Sequence, residues 1–217
     1  HKLQISDILT KFLFFLCYVT LYYIFSRFRL ILKNRGLQRV AIVDFDVHFG
    51  NGTFEIFEKD ANVFFSSVHL SSRVNNPFFA SDLRGATLID EENSNCCVAI
   101  TRRSGEFRKT FRDQILPRLK LFDPELVMLS AGFDGHRDDP LGGDLGLHEE
   151  DYRWLTAEIT KVCDNPYSSC QGRICSVLEG GYDISEQTNA LAKSVVAHVE
   201  ILSQVPEEDT VLPEDVR

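Results

Sequence analysis

The sequence predicts an α/β fold in which helices flank a mainly parallel sheet. Short apolar runs alternate along the chain with longer segments of helical periodicity, as in α/β proteins. Three of these runs, at residues 40–43, 126–130 and 174–178, are largely aliphatic and lack a regular polar alternation. Strands that are covered on both faces of a parallel sheet have this composition.

The overall composition indicates one soluble globular domain with a proper core. The chain has 217 residues, of which 44% are hydrophobic and 25% charged. Its net charge of −9 is opposite to that of a nucleic-acid binder, so we expect no direct binding to nucleic acid. The six cysteines form no CxxC pair, which favours reduced thiols over the alternatives of a cysteine zinc site or a disulfide framework.

Residues 1–35 form an atypical apolar segment that we expect to be a helix. Residues 12–25 are almost uninterruptedly apolar, but this run is shorter than the roughly 20 residues that a transmembrane helix needs. A helix packed on the sheet is therefore the favoured interpretation and membrane association is not expected. A membrane anchor through residues 12–32 and a stretch of non-native coding sequence are the alternatives. Gly36 is expected to end the helix.

The next elements follow from local composition. A glycine turn leads from the first strand into a short helix predicted at residues 53–58. Residues 61–68 resemble a second buried strand, and residues 96–100 a third. The polar stretch between them, residues 71–95, predicts a long loop, and long loops in compact domains are often functional.

An amphipathic helix is predicted at residues 106–122. Pro117 is expected to kink it, because proline cannot donate a backbone hydrogen bond. The apolar side chains recur at helical spacing, so we interpret them as core residues rather than as groups with a chemical role. They are Phe107, Phe111, Ile115, Leu119 and Phe122.

Two further helices complete the predicted domain, which extends over residues 36–205. One follows residues 148–151 and extends to about residue 163, and the other runs from just after Tyr182 to about residue 202. The last 12 residues, 206–217, are acidic and contain two prolines, so a flexible tail is expected there.

Polar side chains follow three of the predicted strands. Asp44, Asp46 and His48 are spaced at i, i+2 and i+4, which places them on one side of an extended chain. Asp134 and residues 180–182, Gly-Gly-Tyr, follow two other strands. Ligands bind at this edge of open α/β sheets, and a cation would neutralise the neighbouring carboxylates. The alternative is that Asp44 and Asp46 are ordinary aspartates that begin a loop.

Three motifs give the sequence a family resemblance. Residues 44–53 (DFDVHFGNGT), 130–143 (SAGFDGHRDDPLGG) and 178–182 (LEGGY) resemble the zinc-dependent histone deacetylases, nearest to their class II branch and to the related bacterial acetylpolyamine and acetoin-utilisation amidohydrolases. The resemblance covers residues 36–203. It implies an arginase-like fold with an eight-stranded, mainly parallel sheet, of which this chain would supply the later part and lack the N-terminal strands.

The resemblance also implies a catalytic metal centre. Asp46, His48 and Asp134 match the zinc ligands of the family, and three protein ligands leave positions open for water and substrate. Tyr182 matches the tyrosine whose hydroxyl stabilises the oxyanion during hydrolysis of acetyl-lysine. Within the class IIa branch this residue is a histidine and activity is weak, so the tyrosine favours the active type.

Further matches imply a substrate channel. Gly180 and Gly181 allow the backbone to approach the substrate closely. Phe79 and Leu141 resemble the walls of the channel that holds the lysine side chain, although the family's Phe-Phe-Pro-Gly reads Phe-Phe-Ala-Ser around Phe79.

A second, structural cation is also implied. Asp44, Ser67 and Val68 resemble the family's site for a monovalent cation such as K⁺. Such a site would explain why a second carboxylate stands beside Asp46 without being a zinc ligand.

One departure from the family leaves two functions open. The family's His-His pair, which supplies the general base, would fall near residues 10–12, and these read Thr-Lys-Phe. The chain is therefore either a deacetylase of histones or other acetylated proteins, or a catalytically dead module that binds such ligands. The resemblance implies co-repressor subunits as partners and a nuclear or cytoplasmic location.

Overall fold

The computed structural model describes residues 34, 36–71, 87–101, 104–142 and 145–204. The predicted N-terminal helix and the acidic tail therefore lie outside the described residues, apart from the end of the helix. Gly36 has a φ of 84°, which is the left-handed conformation expected of a glycine that ends a helix. No helix among the described residues has the length and hydropathy that a membrane crossing requires.

The described residues form a six-stranded sheet flanked by helices, which confirms the predicted fold class. The strand order is β3-β4-β2-β1-β5-β6, and every neighbouring pair is parallel except β3 with β4. The strands are β1 (Val40–Asp44), β2 (Val63–Leu70), β3 (Leu88–Asp90), β4 (Asn95–Ile100), β5 (Leu126–Ala131) and β6 (Ile174–Leu178).

Helices cover both faces of this sheet. The helices are α1 (Asn51–Phe57), α2 (Ser104–Thr110), α3 (Leu116–Phe122), α4 (Glu149–Cys163) and α5 (Ala190–Leu202). Two apolar clusters form, a larger one that includes side chains of α2, α3 and α4 and a smaller one that includes side chains of α1. The central strands β1 and β5 are buried along their whole length. This burial explains their continuous apolar sequence.

Two elements differ from the prediction. The predicted 71–95 loop contains β3, a three-residue strand that pairs antiparallel with β4. Three residues are too few to show a period-2 pattern, so the sequence carried no signal for it. The last helix begins at Ala190 rather than directly after Tyr182. Asp183 explains this delay, because its carboxylate accepts hydrogen bonds from the Ser185 hydroxyl at 2.6 Å and from the Ala190 N–H at 2.8 Å, which organises the intervening loop.

The predicted 106–122 helix is present, with a π-helical turn at its centre. Phe111–Ile115 form this turn between α2 and α3. Pro117 gives the physical reason, because it has no N–H with which to continue the regular hydrogen-bond ladder of the helix. The expectation that Phe111 and Ile115 are core residues is confirmed, since both are fully buried.

His198 of α5 is buried. Its Nδ1 lies 2.7 Å from the Thr156 hydroxyl on α4, and its Nε2 lies 2.9 Å from the Ser176 hydroxyl on β6. Its ring also packs against Phe45 and Phe133. The other buried residues of α5 are small, namely Ala190, Ser194 and Ala197.

We expect His198 to make the fold sensitive to acid. Burial lowers the pKa of this imidazole to about 4, whereas an unfolded histidine titrates near 6.5. As the pH falls from 6.5 to 4, His198 binds a proton in the unfolded chain but not in the folded protein. Its protonation therefore lowers the free energy of unfolding by up to about 3 kcal/mol. Buried carboxylates with a raised pKa gain stability over the same range, so urea unfolding of metal-free protein at pH 7 and pH 4.5 should show this loss as the difference between the parent chain and His198→Gln. The loss should be smaller in His198→Gln, and an equal loss in both proteins would contradict the assignment.

Candidate metal centre

The residues that follow β1, β5 and β6 converge at one edge of the sheet. These strands are parallel, so their carboxyl ends lie side by side. Backbone pairing continues beyond the regular strands, with Phe45 N–H donating to Ser130 O at 3.2 Å and Phe133 N–H donating to Gly180 O at 2.8 Å. The polar residues after the strands are thus held on a paired backbone rather than on free loops.

Asp46, His48 and Asp134 meet at this edge. His48 Nδ1 lies 2.8 Å from Asp46 Oδ1 and 3.0 Å from Asp134 Oδ2. The other oxygen of Asp134 accepts the Val47 N–H at 3.0 Å, which fixes the orientation of the carboxylate. Asp134 is fully buried, while the side chains of Asp46 and His48 are each about one-seventh exposed, at 14% and 15%. The cluster is therefore pre-organised and open on one side.

The contacts of this cluster suit a metal ion. One N–H at His48 Nδ1 cannot align on two carboxylates at once, and Asp134 Oδ2, although close to it, has no hydrogen bond of good geometry. A metal ion bound to His48 Nδ1 and to both carboxylates would give Asp134 Oδ2 the partner that it lacks. Two carboxylate oxygens and one imidazole nitrogen are ligands that zinc accepts, and with three protein ligands a tetrahedral ion keeps an open position.

The electrostatics of the edge also call for a cation. Burial, followed by the charges of Glu179 and Asp46, raises the pKa of Asp44 well above its usual value. Burial and the charge of Asp46 raise the pKa of Glu179 to about 8. Burial opposes a charged His48, but the neighbouring carboxylates prevail and raise its pKa well above 6.5. Several acidic groups thus repel one another in a buried region, which a bound cation would relieve.

Two glycines allow the strands to approach this cluster. A Cβ on Gly132 would lie 2.4 Å from Asp46 Oδ2, and a Cβ on Gly180 would lie 2.4 Å from the same oxygen and 2.9 Å from Asp134 Oδ2. All three distances are shorter than van der Waals contact. Glycine at these two positions is therefore required for the two carboxylates to occupy their places.

Asp139 connects Tyr182 to the loop after Asp134. One oxygen of the buried Asp139 carboxylate accepts the Leu141 N–H at 2.9 Å and the Gly142 N–H at 3.0 Å. The other oxygen accepts the Tyr182 N–H at 2.6 Å. The carboxylate thereby joins the backbone of Tyr182, the residue predicted to stabilise the oxyanion, to the backbone of Leu141, a residue predicted to line the substrate channel.

The residues proposed for the monovalent cation are neighbours on adjacent strands. Asp44 of β1 is paired in register with Ser67 of β2, and Val68 follows on the same strand. All three are buried. Asp44 Oδ1 accepts the Asp46 N–H at 3.0 Å, so the same carboxylate supports the turn that carries Asp46.

The structure thus brings most of the predicted site residues to one region. Leu141 is 48% exposed, as a wall residue at a surface opening would be, and Phe79 lies outside the described residues. Sequence reasoning missed Gly132, Asp139 and Glu179. A glycine directly after a buried strand was an available signal for Gly132, whereas the contact between Asp139 and Tyr182 spans 43 positions and left no local pattern.

Comparison with known proteins decides the family. The family model described as "Histone deacetylase domain" matches residues 23–202. This chain belongs to the histone deacetylase family. Histone deacetylases are generally metal-dependent, and Asp46, His48 and Asp134 are one of two groups of candidate metal-binding side chains among the described residues.

Relatives and solved structures agree with this family. The chain is 41% identical to "Type-2 histone deacetylase 2" of Dictyostelium discoideum over 181 residues, which are 80% of this chain and 10% of that protein. It is 34% identical to "Histone deacetylase 6" of Caenorhabditis elegans over 163 residues, 73% of this chain and 16% of that protein. It thus spans a minor part of these deacetylases.

The fold is that of solved deacetylase domains. The "HDA15 HD domain" structure matches with a TM-score of 0.65 and 28% identity, covering 80% of this chain and 47% of that one. The structure of "the histone deacetylase Clr3" matches with a TM-score of 0.60 and 27% identity, covering 78% of this chain and 27% of that one. The arginase-like fold predicted from the motifs is therefore confirmed for the part of the domain that this chain contains.

Proposed function

We propose that this chain carries the zinc-binding part of a lysine deacetylase, an amide hydrolase that removes acetyl groups from histones or other proteins. The convergence of Asp46, His48 and Asp134 beside the Gly-Gly-Tyr turn is the observation that carries the proposal. Membership of a family of deacetylases supports the reaction type. A net charge of −9 is compatible with a basic histone tail as substrate.

In this proposal the chain's own residues hold the metal and orient the substrate. Asp46, His48 and Asp134 would bind zinc, which supplies a water of lowered pKa and polarises the acetyl carbonyl. The Tyr182 hydroxyl would donate a hydrogen bond to the oxyanion that develops on the carbonyl. Gly180 and Gly181 would admit the acetyl-lysine backbone and side chain close to the protein.

The channel and the second cation belong to the same proposal. Leu141, together with Phe79, would line the channel for the aliphatic part of lysine. Asp44, Ser67 and Val68 would bind K⁺, which would neutralise the carboxylate that lies next to Asp46. Acetylated proteins in the nucleus or cytoplasm would be the substrates, with co-repressor subunits as partners.

A second candidate function is that of a binding module without turnover. The sequence given contains no two consecutive histidines, whereas the family resemblance implies such a pair as the general base. General acid–base catalysis contributes about 10² to 10⁴ in rate. A chain that lacks it would retain zinc and acetyl-lysine recognition but hydrolyse slowly.

One experiment separates these candidates. The purified 217-residue chain should be assayed for tightly bound zinc and for turnover of an acetyl-lysine peptide. Zinc with turnover supports the deacetylase, and zinc with negligible turnover but measurable peptide binding supports the module. A chain that holds no tight zinc would contradict both.

We expect Asp139→Asn to impair the site without removing the metal. Asparagine has one acceptor oxygen, and its amide group would face an N–H of either Tyr182 or Leu141. The Tyr182 turn would shift, and since a displacement of about 1 Å can cost 10²-fold in rate, we expect turnover to fall by about that factor.

Zinc content and peptide turnover measured on the same preparations test this expectation. Where turnover of the parent chain is negligible, the dissociation constant for acetyl-lysine peptide replaces it as the readout. Asp113→Asn is the control, because Asp113 is an exposed residue that pairs with Lys109 and belongs to neither proposed metal site. Unchanged peptide turnover and binding in Asp139→Asn would show that the carboxylate does not position Tyr182.

A further inference from the structure

A second group of metal-binding side chains lies outside the proposed zinc centre. His136 belongs to the loop after β5, while His148 and Glu149 stand at the beginning of α4. The ligand atoms of these three residues lie within 4.8 Å of one another. None of the three has a role in the proposed hydrolysis.

The distances are compatible with one small metal ion. Zinc binds imidazole nitrogen and carboxylate oxygen at about 2.0–2.2 Å, so two ligand atoms of a tetrahedral ion lie about 3.4 Å apart. His136 Nε2 and Glu149 Oε2 are 3.3 Å apart, which already meets this requirement. His148 is exposed, and its ring nitrogen lies within 4.8 Å of the other two ligand atoms.

His136 has the surroundings of an oriented ligand. Its side chain is 96% buried, since 4% is exposed. Its Nδ1 accepts the Asp138 N–H at 3.2 Å, which leaves the proton on Nε2, where it points to Glu149. With a metal at Nε2 this proton would reside on Nδ1, which would exchange its bond from the Asp138 N–H for an acceptor such as the Asp138 carboxylate, now 3.8 Å away. A carboxylate behind a metal-bound histidine is a common arrangement.

We propose that His136, His148 and Glu149 form a second site for a divalent transition metal, with zinc as its natural occupant. The ion fastens the loop after Asp134 to the first turn of α4. Since His136 is two residues from Asp134, this attachment steadies the loop that carries a proposed zinc ligand. The positive end of α4 opposes a cation, whereas further carboxylates surround the first site, so the second site binds more weakly.

Zinc titration of matched variants tests this proposal. We expect the purified full chain to bind two zinc equivalents in equilibrium dialysis against buffered free zinc. His148→Thr should bind one, because it removes the imidazole but keeps a residue that caps a helix well. Glu149→Gln should weaken the second equivalent at least tenfold. Glu150→Gln, a change at an exposed neighbour outside the group, should retain both.

The outcomes separate this site from the proposed catalytic one. Two equivalents in the full chain, with one lost in His148→Thr and a different one lost in Asp134→Asn, support both sites. A single equivalent that His148→Thr abolishes supports the second site and contradicts the first. A single equivalent that only Asp134→Asn abolishes, or two equivalents that His148→Thr leaves unchanged, would overturn the second site.

Discussion

Asp134→Asn should abolish tight zinc binding by this chain. The substitution keeps the size of the side chain and the acceptor for Val47 N–H, but it replaces the negative oxygen beside His48 Nδ1 with a neutral group. Even the loss of a group that merely orients a metal ligand weakens binding 10- to 100-fold. We therefore expect zinc affinity to fall by more than about 100-fold, and turnover to fall with it.

The stability of the fold gives an independent measure of the same loss. A ligand at 100 times its dissociation constant stabilises a protein by about 2.7 kcal/mol. The parent chain should gain this amount when zinc is added at that level, and Asp134→Asn should gain little. Asp113→Asn is the control, because Asp113 is an exposed helix residue that pairs with Lys109. An Asp134→Asn chain that retains a tight zinc would show that Asp134 is not a ligand.

Gly180→Ala should disrupt the same centre by steric pressure. The added methyl group would lie 2.4 Å from Asp46 Oδ2 and 2.9 Å from Asp134 Oδ2, so at least one carboxylate must move. Overpacking of this kind typically costs about 1–3 kcal/mol in folding free energy. Zinc affinity should fall as well, because the two oxygens can no longer face the same point.

Gly105→Ala is the matched control for Gly180→Ala. A Cβ on Gly105, which lies in α2, meets nothing within 4 Å. Alanine is favoured over glycine in a helix by about 0.5–1 kcal/mol, so this variant should be as stable as the parent chain or more stable. Urea unfolding and zinc titration of both variants complete the comparison. Unchanged zinc affinity in Gly180→Ala would contradict the position assigned to the two carboxylates.

The sequence predicted those parts of the site that depend on one strand at a time. Asp44, Asp46 and His48 follow one strand at a spacing of two residues, so their common side was readable from the sequence. Asp134 follows the buried strand β5 and Tyr182 follows the edge strand β6, and parallel strands end at one edge of a sheet. Convergence of these residues was therefore predictable without knowledge of the distances.

Features that depend on contacts between distant segments were not predictable in this way. The bridge from Asp139 to Tyr182 and the close approach of Gly132 to Asp46 arise when separate loops meet. The position of His198 on a helix likewise does not show which neighbours cover its side chain. Its burial depends on Thr156 and Ser176, which come from α4 and β6.

The X-ray absorption spectrum of tightly bound zinc tests the central claim most directly. Zinc should be added to one equivalent of the purified chain and weakly held metal removed before the measurement. Coordination by Asp46, His48 and Asp134 predicts nitrogen and oxygen ligands at about 2.0–2.2 Å with the signature of a single imidazole. Sulfur ligands near 2.3 Å, or two imidazoles per zinc, would show that cysteines or the His136–His148 pair hold the ion instead and would contradict the proposed centre.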